Sequence, residues 1–472
     1  MFTSNVRMNS SQLRLCLILL CTTQFVALLD FSITMIPLPQ IQESLGFTPG
    51  ALQWVINAYG VVIAGFLLLG GRAADMFGRR RVFLLGLVIF TLGSLLGGFS
   101  QSPAMLIITR AVQGFGAALF SPAAFSLLLA VFPEQKQRNR ALGAWTAVAA
   151  SGFVAGLILG GIITDLLGWR WVLWINVPVG VFVIALTGLL PEGRPDSESA
   201  VKSLDVWGAI LVAAGAATLV FAFANSEHVG LTSLTTLGLI VLSLMLLALF
   251  VWVESQVESP LMPIPIFWRR LTGGANLVSL LANTALGPTF VVVALYMQEI
   301  LGFTATQAGL GLLPMAAAFT LSSAWAGPAL IAKVDTKPVI LGGMVLFIAG
   351  LALLGLSLAA DASWAASILP GTLLAGIGYG IAFPAWTVAG IEGVDAVDHG
   401  LAGGMLTTTQ EIGSAVGLAI GVAISIAALA GGDSAAQGFS YAILVSAGMV
   451  VIGLVCAALI LPGKTTTLGT VQ

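Results

Sequence analysis

Asp30, Arg110 and Glu411 each stand inside a long apolar stretch, where an ionisable side chain is costly to keep. Asp or Arg at the centre of a bilayer costs roughly 2.5–3.5 kcal/mol on insertion scales, so such residues usually have a partner or a job. Desolvation raises a carboxyl pKa and a neighbouring cation lowers it. A carboxyl that alternates between those surroundings takes up and releases protons, and that is the chemistry on offer. Covalent chemistry is not. The two histidines, His228 and His399, fall in loops, and Cys16, Cys21 and Cys456 sit in apolar runs without metal or disulfide spacing. No nucleophile–base pair and no phosphate-binding loop can be picked out, which points away from an enzyme, a resident metal or cofactor, and ATP.

The composition names the solvent around these groups. Charged residues are 8% and apolar residues 58% of the chain, with a mean hydropathy of +1.04. Soluble chains carry about 25% charged residues, so this one is expected in lipid, with no nucleic-acid partner. A bilayer core needs about 20 apolar residues as helix. Runs of that length fall near 13–36, 51–70, 82–99, 104–129, 141–163, 171–190 and 205–223. Others fall near 232–253, 273–297, 305–330, 338–359, 364–390, 400–428 and 440–461, which makes fourteen. An even count puts both termini on one side. With that side cytoplasmic it receives sixteen of the 18 basic residues, among them Arg7, Arg194, Lys202 and Lys464; Arg170 falls outside and Arg110 within a span. The expected location is the plasma membrane, the inner membrane of a bacterium.

Depth along the helices brings two of the three charges together. Asp30 and Arg110 each lie about six residues from the same surface, about 9 Å deep at 1.5 Å per residue. They can meet if spans one and four are neighbours. Thr23, Ala27, Asp30 and Thr34 form a part-polar stripe that is expected to face an aqueous cavity. Glu411 lies near the middle of span thirteen with Thr407 and Ser414 on its face, while Gly413 is turned away and free to pack. Structural roles stand beside each functional one. Arg110 can bond backbone carbonyls, Asp30 can be its counter-ion, and Glu411 can be a neutral buried acid.

A repeat is visible in the glycines. Gly114, Gly116 and Pro122 of span four recur as Gly376, Gly378 and Pro384 of span twelve; Gly152, Gly156 and Gly160 recur as Gly413, Gly417 and Gly421. Two adjacent matches at nearly one offset point to parallel six-helix halves, with helix packing alone as the alternative. The division expected is 1–190, a linker with inserted spans seven and eight over 191–272, and 273–472.

"GGRAADMFGRRR", from Gly70 to Arg81, concentrates Arg72, Asp75, Arg79, Arg80 and Arg81 between two oily spans. Gly71 and Gly78 permit a tight turn and close helix approach, and Asp75 ends span two where span thirteen begins. The loop before span thirteen carries Glu392, Asp395 and Asp398. A latch between halves is expected here, with the arginines as mere topology anchors the alternative.

These stretches resemble the fourteen-span drug:proton antiporters of the major facilitator superfamily. Gly71, Asp75, Gly78, Arg79, Arg80 and Arg81 match the signature between spans two and three. "RAVQGFGAA" matches the span-four motif through Arg110, Gln113, Gly114 and Gly116. "LDFSITMIPLP" aligns Asp30 with the first-span carboxylate, and "GWRWVLWINVPVG" matches the entry to span six. The antiporter motif of span five maps to Gly152, Gly156, Gly160 and Gly161, but Leu157 stands where the family usually has Pro. Met35 and Pro37 depart from the first-span motif, and Glu411 stands where an uncharged polar residue is usual. The resemblance implies an all-α polytopic membrane protein of the major facilitator fold. It further implies a monomer that exports hydrophobic or cationic small molecules against a proton gradient, with Asp30, Arg110, Gln113 and, on our reading, Glu411 at the coupling and substrate site. Transport of one metabolite or natural product, by antiport or symport, is the alternative; a membrane enzyme or sensor is a more remote one.

Overall fold

The computed structural model describes residues 10–191, 205–257, 260–262, 264–359, 363–392, 394 and 399–462. Arg7, Arg194, Lys202, Asp395, Asp398 and Lys464 lie outside the described residues. Within them, fourteen helices are long and apolar enough to cross a membrane. In chain order spans 1 to 7 are Ser11–Ile33, Pro49–Phe77, Arg79–Gly98, Pro103–Val131, Arg140–Leu167, Arg170–Leu189 and Val206–Ser226. Spans 8 to 14 are Leu234–Gln256, Arg270–Glu299, Ala305–Val334, Thr336–Leu358, Trp364–Ile391, Leu401–Ala430 and Ala435–Ile460. Fourteen crossings return the chain to the face it left. We call this the terminal face and its opposite the far face.

The spans are apolar all round because their outer surface meets lipid and their inner surface meets other helices. Leu234, Leu244 and Trp252 of span 8 are 88, 58 and 61% exposed, a surface that only a hydrocarbon solvent tolerates. Span 2 is longer than its hydropathy implied: helix continues through Gly70, Gly71, Arg72 and Asp75 to Phe77. The turn expected at the two glycines is made by Gly78 alone, whose φ of 98° suits a residue without Cβ. The close approach also moves by one residue. A Cβ at Gly70 would collide with the carbonyl of Ala118 on span 4, whereas one at Gly71 would find its nearest neighbour, Pro122, at 3.7 Å.

The glycine pattern is used twice. On span 4, Gly114 meets the Tyr59 backbone of span 2 and Gly116 meets Gly86 and Phe90 of span 3. On span 12, Gly376 meets Met315 of span 10 and Gly378 meets Gly343 and Phe347 of span 11. Gly152, Gly156 and Gly160 of span 5 lie on the Phe25, Leu29 and Ile33 carbonyls of span 1; Gly413 and Gly417 of span 13 lie on those of Leu280 and Thr284 of span 9. Small residues at these positions let backbones touch, the main source of helix association where lipid offers no hydrophobic drive. Gly161, one residue on, faces the other way and abuts Ala305 and Thr306 at the start of span 10. Span 7 packs on spans 2, 8 and 13, so spans 7 and 8 lie along the seam where spans 2 and 13 meet.

Candidate functional site

Spans 1, 3, 4 and 6 converge on one sealed polar network. Arg110 Nη1 donates to Asp30 Oδ2 at 2.7 Å and to Gln113 Oε1 at 3.1 Å. Arg110 Nε donates to the Val55 carbonyl at 2.9 Å, and its guanidinium lies 4.5 Å from the centre of the Tyr59 ring. Asp30 Oδ1 also accepts from Asn176 Nδ2 at 2.6 Å and Gln113 Nε2 at 3.2 Å, and Gln113 Nε2 donates to Ser94 Oγ at 2.7 Å. Asp30, Arg110, Gln113 and Ser94 are all 0% exposed.

The depth count on spans 1 and 4 thus finds its partner, but the stripe around Asp30 does not border water. Thr23, Ala27 and Thr34 are buried with it. The charge is met instead by a cation and two side-chain amides, and hydrogen bonding to charged groups is what makes such burial tolerable. Asn176 and Ser94 complete the network and were not anticipated as site residues. Asn176 lies in the "WIN" of the span-six motif, where Pro178 lacks the N–H that would bond the Trp174 carbonyl. The helix breaks between Trp174 and Asn176, which places the asparagine amide at Asp30.

Glu411 has opposite surroundings. It is partly exposed, and among the described residues no cation or hydrogen-bond donor reaches it. Its Oε2 faces Gly60 of span 2, where a Cβ would sit 3.1 Å away. Tyr59 of span 2 and Tyr379 of span 12 lie within its electrostatic reach, and Tyr379 donates to Asn283 Oδ1 at 3.1 Å. Ser414 does not share this outlook, because it packs on Gly287 of span 9. Elsewhere Phe31 pairs with Tyr59 and Phe153 with Phe290, ring centroids 6.5 and 5.2 Å apart, and Phe31 with Phe153 at 6.5 Å joins these rings of spans 1, 2, 5 and 9. Trp54 borders a far-face cleft with Ile107 and Phe221, while Asn57 is 1% exposed and bonded to Gln53.

At the far face the sequence reading missed a contact between spans 5 and 10. The first turn of a helix has four N–H groups without intrahelical partners. Span 10 satisfies two itself: Gln307 N donates to Thr304 Oγ1 at 3.2 Å and Thr304 N to Gln307 Oε1 at 3.0 Å. The remaining two donate to Asp165 at the end of span 5, Ala305 N to Oδ1 at 3.3 Å and Thr306 N to Oδ2 at 2.8 Å. A residue from one side of the bundle thereby completes the helix start of the other. Gln298 Nε2 of span 9 adds a bond to the Ile36 carbonyl at 3.0 Å.

At the terminal face, Asp75 accepts from Arg79 Nη2 at 3.4 Å, Arg80 extends toward Gly188 at the end of span 6, and Leu68 of span 2 abuts Gly404 of span 13. Burial and the neighbouring Asp335 carboxylate raise the pKa of Glu392. No group of three or more metal-ligating side chains occurs among the described residues.

A fourteen-helix bundle with a sealed ion pair at its heart has the outline of a membrane carrier. The chain belongs to the Major Facilitator Superfamily, whose pattern matches residues 20–418. It is 38% identical over 402 residues to the cephamycin export protein CmcT of Amycolatopsis lactamdurans, covering 85% of this chain and 82% of that protein. It is 33% identical over 463 residues to the puromycin resistance protein pur8 of Streptomyces alboniger, covering 95% and 91%. Its fold is similar to that of the POT family transporter PepTSo, with a TM-score of 0.69 at 14% identity over 96% of this chain and 98% of the other. The chain is therefore a multi-pass transporter in the antibiotic- and multidrug-resistance branch of the family, not an enzyme, and its relatives named here are bacterial.

Proposed function

We propose that this protein exports hydrophobic small molecules, cations among them, in exchange for protons, as a monomer in the bacterial inner membrane. Two six-helix halves, 1–190 and 273–472, rock about the pocket between them, and 191–272 supplies a linker and two inserted spans. The terminal face is cytoplasmic, which agrees with the placement of sixteen of the 18 basic residues. The observation that carries the reading is the contrast between two carboxyls. Asp30 is saturated by donors, whereas Glu411, where spans 2 and 13 meet, has no partner among the described residues. A carboxylate with no cation beside it, within electrostatic reach of Tyr59 and Tyr379, attracts a greasy cation, and one site that serves cation and proton in turn yields exchange. Purified protein in liposomes should therefore extrude protons on addition of ethidium and accumulate ethidium only under an imposed pH difference. Accumulation independent of that difference would remove proton coupling.

Transport of one defined natural product is the second reading. Leu157 in place of the antiporter proline favours it, as does the likeness to the export protein CmcT. Protection of a pump-deficient host against a single compound in a panel of dyes, antiseptics and antibiotics would select it.

The gates give two further expectations. Asp165 is exposed, so its contact with span 10 is screened. Asp165→Ala should weaken far-face closure by about 1 kcal/mol, a several-fold shift in the population ratio. Faster alkylation of cysteines placed at the outer ends of spans 5 and 10 would report it, and unchanged rates would discard the contact as a gate. Asp75→Asn should loosen the cytoplasmic end and raise labelling of cysteines placed there. If labelling is unaltered, Asp75 is no latch.

A further inference from the structure

The inserted hairpin of spans 7 and 8 is tied to span 2 by a second buried polar cluster. Asp205 precedes span 7 and Glu254 lies near the end of span 8; they are 6 and 2% exposed. Asp205 Oδ1 accepts from Gly208 N at 2.8 Å, and Glu254 Oε2 accepts from Met262 N at 2.9 Å. The other oxygen of each carboxyl, Asp205 Oδ2 and Glu254 Oε1, is buried without a donor among the described residues. Both orphans converge on Gly208, where a Cβ would sit 2.5 and 2.6 Å from them, and the two side chains are within hydrogen-bonding reach of each other. Ionised carboxylates have no hydrogen to offer. Two facing acceptors at this depth are satisfied by one proton between them.

Arg72 of span 2 completes the charge balance. It lies within electrostatic reach of both acids, and its Nη2 donates to the carbonyl of Pro260, just beyond span 8. One shared proton leaves the pair with a single negative charge, which the guanidinium cancels. Span 13 contributes apolar Ala402 and Met405 nearby. Farther along, Ala216 and Val220 of span 7 cluster with Ala415 and Ala419 of span 13 and with Val61 of span 2. Span 2 also meets span 7 through apolar contacts, Leu69 with Ala209 and Gly65 with Ala213, but it alone adds a directional ionic tie; the span 13 contacts described here are apolar and re-form after a slide, because hydrophobic contact has no preferred direction.

We infer that Asp205 and Glu254 form a proton-binding site, one proton shared between Oδ2 and Oε1 beneath Arg72, which fastens the 7–8 hairpin to span 2 so that the hairpin travels with the first six spans. The travelling part rests on the alternating-access reading; the proton site does not.

Two measurements test it. In reconstituted protein, infrared spectra should contain a protonated-carboxyl band that disappears in Asp205→Asn and in Glu254→Gln alike and survives Glu411→Gln. Either amide offers the hydrogen that the pair shared, so these variants keep their fold. A band that persists in both, or is lost in only one, overturns the shared proton. In a cysteine-free background, oxidising the pair Leu69→Cys/Ala209→Cys, which share a buried cluster of spans 2 and 7, should leave ethidium exchange unchanged, whereas oxidising Ala216→Cys/Ala415→Cys of spans 7 and 13 should stop it. The reverse result, or exchange unaffected by both bridges, overturns the fastening. Absence of exchange before oxidation counts against the transport reading instead, and the infrared result then decides the proton site alone.

Discussion

Arg110→Met should destabilise the folded protein by roughly 3–5 kcal/mol, the range for removing one partner of a buried ion pair. The loss is large because the guanidinium serves several neighbours at once. Without it Asp30 is a charge at 0% exposure with no cation, and the Val55 carbonyl and Gln113 Oε1 each lose a donor. Asp30→Asn/Arg110→Met removes both charges, and Asn176 and Gln113 can still donate to the new amide. Thermal melting of purified protein should show a low midpoint for the single variant and a substantial recovery for the double. Ethidium efflux should stay lost in both, since stability returns without the carboxylate. Equal melting of the single variant and the parent would show that the pair does not hold spans 1 and 4 together.

Glu411→Gln should do the opposite: little change in melting and complete loss of proton-driven accumulation. No salt bridge or hydrogen bond is broken by this change, and the amide nearly matches the carboxyl in shape. What disappears is the capacity to carry a proton. Counterflow of ethidium, which needs only binding and rocking, should continue. If the variant still concentrates ethidium under a pH difference, Glu411 is not the proton carrier.

Much of this architecture can be read from the chain, because a bilayer punishes every unsatisfied group and so leaves strong local signals. Fourteen apolar runs become fourteen helices, and equal depth in two of them foretells the meeting of Asp30 with Arg110. The glycine seams are legible for the same reason, since only small side chains let backbones touch. What escapes is whatever depends on a helix end or on a third neighbour. Asp165 and Glu254 lie just past the apolar windows drawn around them, yet both belong to helix and both are bonded. Asn176 needed the break at Trp174 to reach Asp30, and uncharged Ser94 on span 3 carries no pattern of its own. The one-residue displacement from Gly71 to Gly70 is a matter of helical phase, which hydropathy does not resolve.

The start of span 10 has a consequence for how the medium acts on the protein. Its Ala305 and Thr306 amides are complete only while the Asp165 carboxylate covers them. Separation of the two helices uncovers a pair of donors at the positive end of a helix, a natural seat for a dissolved anion. On the orientation proposed above, multivalent anions in the external solution should therefore hold that end apart, while the same salts inside the cell have no access to it. The ionic make-up of the surroundings then becomes a one-sided regulator of turnover.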